Sequence, residues 1–277
     1  MRRWFGTIGI AALAALVVAG ASALAASHFG AGHHGFWKQR ISAHIDEVLG
    51  AAKASPDQRT LVHAARDHVF DTMQANQNGH AADFKQALAL FAADRIDPAQ
   101  VQALRARHQA AMKSTGDAIV QALTDAHDAF TAAQRQAVVA YLKSHRPDAQ
   151  MGEWHLAMGK RMVTARVDGA LDVLKASDAQ RSAIHASVDR AVAAVEQVHK
   201  QHQADRETGL ALFAADRIDA SKLAALRAQR ESEITNAGDA IVRAVTEVHD
   251  TLTAAQRQQL VAFLQAHHRH FGEGAPK

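Results

Sequence analysis

Leu90-Phe91-Ala92-Ala93-Asp94-Arg95-Ile96-Asp97 occurs a second time, unchanged, as Leu212-Phe213-Ala214-Ala215-Asp216-Arg217-Ile218-Asp219. Further along, Gly116-Asp117-Ala118-Ile119-Val120 returns as Gly238-Asp239-Ala240-Ile241-Val242. Thr131-Ala132-Ala133-Gln134-Arg135-Gln136 returns as Thr253-Ala254-Ala255-Gln256-Arg257-Gln258. Upstream, Lys53-Ala54-Ser55 and Gln58-Arg59 return as Lys175-Ala176-Ser177 and Gln180-Arg181. Every pair is offset by the same 122 residues, as from Leu90 to Leu212, with no gap. Helical patterns resemble one another by chance, but chance does not hold one register over so long a span. The chain therefore reads as two tandem copies of one module, residues 33–148 and 155–270. Arg146-Pro147-Asp148 opens the linker, because proline ends the helix before it.

Composition says what the module is made of. Hydrophobic residues are 48% of the chain but aromatics only 5%, and much of the apolar fraction is alanine. Alanine is the best helix former and packs thinly. With four prolines and one tyrosine, the chain reads as all-α, with long helices around a shallow core. Such a core is a poor scaffold for an enzyme that must enclose a substrate. There is no cysteine, so disulfides and thiol chemistry are excluded.

Residues 1–25 read as a signal peptide. Arg2 and Arg3 form a positive start, an apolar stretch runs from Ile8 to Leu24, and Ala23-Leu24-Ala25 fits a small-x-small cleavage site. Removing this leader leaves 29 basic against 28 acidic residues, so formal net charge falls from +3 to +1. That balance is no nucleic-acid footprint. It also leaves no expected membrane insertion after cleavage.

Each copy reads as four to five helices. Trp37, Ile41, Ile45, Val48 and Leu49 share one face of the first; Val163, Val167, Leu171 and Leu174 do so in the second copy. The next helix starts at Ser55-Pro56 and weakens near Asn76-Gln77-Asn78-Gly79. Copy two lacks that Asn-Gly, so its helix is expected to run on. Asp97-Pro98 caps a long helix whose stripe is Val101, Leu104, His108, Met112, Ile119, Leu123, Ala126 and Phe130. A last helix starts at Thr131.

Four segments share one design: Ser55-x-x-Gln58, Thr131-x-x-Gln134, Ser177-x-x-Gln180 and Thr253-x-x-Gln256. Each is a capping box, in which the hydroxyl accepts from the backbone N–H three residues on and the glutamine reaches back to the cap's own N–H. The usual hydrophobic staple is absent, since the fourth helical position is arginine in every case. Phe130 and Leu252, just before two of the caps, are expected in the core.

Phe130-Thr131-Ala132-Ala133-Gln134 and Leu252-Thr253-Ala254-Ala255-Gln256 resemble the LTxxQ motif of the Spy/CpxP family of periplasmic proteins. Ala54-Ser55-Pro56-Asp57-Gln58 and Ala176-Ser177-Asp178-Ala179-Gln180 match it more loosely. Two motifs per chain is the family's pattern; here each copy carries two. The resemblance implies small helical modules, a cradle-like pairing, and a role as ATP-independent chaperone, envelope-stress modulator or metal binder. Two such modules in one chain would make a monomer with an internal pseudo-two-fold pseudo-dimer. Its partners would be unfolded or partly folded envelope proteins and an envelope-stress sensor. By location alone, the basic residues Arg105, Arg107, Lys113, Arg227, Arg230 and Arg243 of the long helices are candidates for client binding.

Histidine is the other source of chemistry, with 18 in the chain. His33 and His34 precede copy one, His267, His268 and His270 close copy two, and His199 and His202 lie three apart on one helix. Neutral imidazole suits zinc, copper or nickel, so a divalent-metal sensor or scavenger is the alternative function. No HExxH motif, nucleophile elbow or glycine-rich phosphate loop occurs, so no catalytic residue is assigned.

Overall fold

The computed structural model describes residues 34–77, 79–145 and 149–272. The leader, residues 1–25, and the linker at residues 146–148 lie outside the described residues. Within them every regular element is an α-helix. Copy one supplies α1 (His34–Ala51), α2 (Pro56–Gln77), α3 (His80–Ala92), α4 (Pro98–Ala129) and α5 (Ala132–Ser144). Copy two supplies α6 (Ala149–Val173), α7 (Asp178–Ala214), α8 (Ala220–Thr251) and α9 (Ala254–Gly272). The long α7 is the counterpart of α2 and α3 joined. Where copy one has Asn76 to Gly79, copy two has Val198 to Gln201, and 37 residues stay helical.

The caps stand where the sequence puts them. Asp97 accepts from the Ala99 N–H at 2.9 Å, with proline at the first helical position. Asp219 accepts from Ser221 and Lys222. α1 and α6 both end in a Schellman turn: the Ala54 N–H reaches the Leu49 carbonyl at 2.9 Å, and the Ala176 N–H reaches the Leu171 carbonyl at 3.0 Å. The left-handed residue in each turn is a lysine, Lys53 (φ 51°) and Lys175 (φ 49°), where glycine would be free of the Cβ penalty.

The two cores exchange side chains. The first gathers Ile45, Val48, Leu49, Val62, Ile119, Phe130, Val138 and Leu142 from copy one, and takes Leu210 and Phe213 from copy two. The second gathers Leu171, Leu174, Ile184, Leu252 and Val261 from copy two, and takes Leu88 and Phe91 from copy one. Leu88 and Leu210 are repeat equivalents, as are Phe91 and Phe213. Phe130 and Leu252 are each 3% exposed, inside the cores as expected. Only the C-terminal half of the α4 stripe is buried, through Ala118, Ile119, Ala122 and Ala126. His108 on the expected stripe is exposed, because the first half of α4 runs beyond the core.

The repeated stretch that opened the reading is the element exchanged. The carbonyl of Ala215 accepts from His127 Nε2 at 2.9 Å, and that of Ala93 accepts from His249 Nε2 at 2.9 Å. Arg135 meets Asp216 at 3.4 Å, and Arg257 meets Asp94 at 3.4 Å. Gln136 donates to the Ala214 carbonyl and Gln258 to the Ala92 carbonyl. Arg105 pairs with Asp239, and Arg227 with Asp117. These four contacts from copy one to copy two each have a mate from copy two to copy one, whereas the bond from Arg206 to the Leu142 carbonyl and the Lys143–Glu207 ion pair have none, because residues 84, 85 and 265 are Phe, Lys and Gln. His127 and His249 are each 3% exposed, so their ring hydrogen bonds sit where water does not compete.

Candidate functional site

All four sequence motifs join in pairs. Thr131 and Gln134 form the full capping box at the start of α5, and Ser177 and Gln180 do so at α7. Ser55 with Gln58 and Thr253 with Gln256 show the same two bonds. In each box the glutamine oxygen closes the cap and leaves the amide nitrogen to reach elsewhere. Gln58 Nε2 donates to Gln134 Oε1 at 2.9 Å, and Gln134 Nε2 donates back to Gln58 Oε1 at 2.9 Å. Gln58 Nε2 also reaches the Ala129 carbonyl at 2.7 Å. In copy two Gln180 and Gln256 repeat the reciprocal pair at 2.8 and 3.1 Å. The motif glutamines thus lock two helix starts together through one amide pair.

The arginine after each glutamine takes the place of the missing staple. Arg59 and Arg181 donate to the carbonyls of Ala54 and Ala176 at 3.2 Å each. Arg135 and Arg257 donate to the carbonyls of Phe130 and Leu252 at 2.7 and 3.0 Å. Each fixes the chain entering its helix, as an apolar staple would.

Between α4 and α8, with the end of α7 as its floor, lies an apolar groove with a cavity of about 180 Å³. Met112, Gly116, Ile119, Val120 and Leu123 line one wall, Leu223, Leu226 and Ile234 the other, and Gly209, Leu212 and Phe213 the floor. Both copies are needed to build it. Lys113, Arg227, Arg230 and Glu231 supply the charged part of its lining. Lys113 hydrogen-bonds Asp117 at 2.8 Å; that bond, with Arg227 alongside, holds the Asp117 carboxyl below the usual carboxylate range. The groove can accept a short run of apolar side chains flanked by charge.

The six basic candidates do not share one surface. Lys113, Arg227 and Arg230 border the groove. Arg105, like Arg227, is engaged in the cross-copy ion pairs. Arg107 holds Asp83 at 2.9 Å and Gln86 at 2.7 Å. Arg243 is exposed on α8, on the side of Glu247.

The histidines are likewise dispersed. His202 is buried, and its Nε2 accepts from Arg230 Nη1 at 2.5 Å, so that lone pair is engaged by a guanidinium. His199 contacts Gln203 at 3.1 Å, and burial holds its pKa below the ordinary value. His34 opens α1, and His267, His268 and His270 fall near the end of α9. His33 and these four side chains lie outside the described set. Among the described residues no three of His, Cys, Asp and Glu converge as a metal site. His63 with Asp46 at 3.0 Å and His185 with Asp168 at 2.9 Å are one repeated surface pair.

The groove and the amide pair escaped the sequence reading for different reasons. The glutamine pair had a signal: the two boxes of each copy recur at one separation, Gln58 to Gln134 and Gln180 to Gln256. The groove had none, because it depends on which end of α7 lies under the crossing of α4 and α8.

Among the described residues, no helix is long and apolar enough to cross a membrane. Neither a curated protein nor a solved structure matches the chain significantly. Residues 162–264 match the LTXXQ motif family protein, and residues 10–137 match the heavy-metal resistance family. Each match takes in the two motifs of one copy, and both matched families are of the Spy/CpxP type that the motifs resemble.

Proposed function

We propose that the chain is an ATP-independent chaperone of the periplasm, exported by its leader and binding unfolded or partly folded envelope proteins without catalysis. The observation that carries this reading is the groove of about 180 Å³ between α4 and α8, apolar in its walls and charged in part of its lining. A flexible client would lay a few apolar side chains into it and meet Lys113, Arg227, Arg230 and Glu231 beside them. Each contact is weak, so release needs no nucleotide. Four of the cross-copy contacts occur in reciprocal pairs, as an isologous interface would have them. We read the chain accordingly as a monomer with an internal pseudo-dimer, its halves held in a cradle. Fluorescence anisotropy of a labelled, chemically unfolded protein tests the reading. Saturable binding in nucleotide-free buffer, weakened mildly by salt, is expected; no binding of unfolded chains, or equal binding of the folded protein, overturns it.

A second reading, metal sensing or scavenging, is favoured by the heavy-metal resistance match over residues 10–137. It would use His33, His34, His199, His202, His267, His268 and His270 toward zinc, copper or nickel, and would pass a signal to an envelope-stress sensor. Calorimetric titration with each divalent ion separates it from the first: stoichiometric binding of one metal without client binding favours the second.

A further inference from the structure

α7 enters both cores. Ile184 and Val188, near its start, pack in the second core, and Leu210 and Phe213, near its end, pack in the first. Among the described residues, no side chain of α7 between Val188 and Leu210 joins either core. Copy one makes the same passage with two helices. α2 stays in the first core through Val62 and Val69, and α3 belongs to the second through Leu88 and Phe91. α2 ends at Gln77 and α3 begins at His80, the counterparts of His199 and His202. One strut between the cores is therefore whole and the other is broken.

Charge fills the unattached middle of the whole one. Asp205 is 5% exposed, and the side chain of Arg230, reaching in from α8, is 13% exposed. Arg230 Nε stands 3.7 Å from Asp205 Oδ2, too far for a hydrogen bond. Asp205 Oδ2, Arg230 Nε, Arg230 Nη2 and Glu233 Oε2 are buried and make no hydrogen bond. Asp205 Oδ1 accepts from Gln201 at 3.3 Å and from Gln229 at 3.4 Å, both long. Ions held out of water with bonds unmade favour any rearrangement that lets water reach them. Copy one has no such cluster. Asp83, the counterpart of Asp205, takes Arg107 at 2.9 Å, and His108 and Ala111 stand where copy two has Arg230 and Glu233. Local propensity keeps α7 whole, since Lys200 and Gln201 favour helix where copy one has Asn78 and Gly79.

We propose that α7 is a hinged strut, which opens at residues 198–205 into two helices as copy one is built, with Asp205, Arg230 and Glu233 as the latch that water releases. The groove's floor, Gly209, Leu212 and Phe213, lies on the C-terminal side of the hinge, and Arg230 lies in the groove's lining. Opening therefore lets floor and wall part. The hinge names what regulates that groove; its effect on clients rests on the client reading, while the hinge itself does not.

Hydrogen exchange of the full chain, read by mass spectrometry without client, is the test. Residues 198–207 are expected to exchange roughly tenfold or more faster than 184–190 and 208–214. His202→Leu/Asp205→Leu/Arg230→Met, which replaces the latch by apolar side chains, should slow exchange over 198–207 by roughly tenfold. Lys200→Asn/Gln201→Gly, which installs copy one's break, should speed it by roughly tenfold and leave the two core stretches as they were. Protection over 198–207 equal to that of the core stretches, unchanged exchange in the apolar variant, or an Asn-Gly variant whose core stretches lose protection together with 198–207 would each overturn the proposal. Exchange as expected, with no binding of unfolded client by any of the three proteins, supports the hinge and counts against the client reading alone.

Discussion

Gly116→Leu separates the groove's function from the fold's stability. Gly116 lines the groove, and a Cβ placed on it meets no atom within 4 Å. It lies inside the 32-residue α4, where glycine costs helix stability. Replacing it with leucine should stabilise the helix by about 0.5–1 kcal/mol, raising Tm by roughly 1–4 °C for a protein of this size. The same side chain puts four carbons into a cavity of about 180 Å³. Client binding should therefore fall, by at least tenfold in apparent affinity, while the protein becomes more stable. Gly238→Leu is the control: the repeat-equivalent glycine of α8 is also open around its Cβ but does not line the groove. It should stabilise equally and leave binding intact. The assay is anisotropy of an unfolded client beside thermal melts of all three proteins. If Gly116→Leu is as stable as predicted yet binds clients as well as wild type, the groove is not where clients bind.

Three further predictions probe the frame that builds the groove. In a double-mutant cycle, Gln58→Ala and Gln134→Ala should couple by about 1–2 kcal/mol, from two half-buried amide hydrogen bonds; urea midpoints that add within about 0.5 kcal/mol would refute the amide pair. Phe213→Ala should cost about 3–5 kcal/mol and lower hydrogen-exchange protection in α1 and α5 of the other copy, because Phe213 sits in the first core; protection lost only in copy two would contradict the exchange. Burial holds the His44 pKa below its ordinary value of 6.5, despite Glu47 beside it. As pH falls through that ordinary value the unfolded chain takes its proton first, so stability should decline below about pH 7, and His44→Leu should flatten the slope between pH 7.5 and 5.5; an unchanged slope would refute it.

The sequence carries the helices because their signals are local. Asp97-Pro98 caps α4, Asn76 to Gly79 breaks copy one's second helix, and the lack of that break in copy two yields the 37-residue α7. Phe130 and Leu252 are legible as core residues because they precede caps that have no apolar staple. What lies beyond local signals was not legible. The same eight residues recur at 90–97 and 212–219, yet nothing in the repeat states that Phe91 and Phe213 fill each other's half. The basic residues of α4 and α8 look alike along the chain, but Arg105 and Arg227 are drawn into cross-copy pairs while Lys113 borders the groove. His199 and His202 share a helix face, and the partner that engages His202, Arg230, comes from α8, a helix the spacing rule does not see.

Aggregation of a denatured model client, followed by light scattering with and without the mature protein in nucleotide-free buffer, tests the chaperone reading most directly. The account predicts that near-stoichiometric protein suppresses scattering, that ATP changes nothing, and that added salt weakens the effect only mildly, since residues 26–277, the proposed mature chain, hold 29 basic against 28 acidic residues. Undiminished scattering in the presence of excess protein, together with tight stoichiometric binding of one divalent metal, would contradict it.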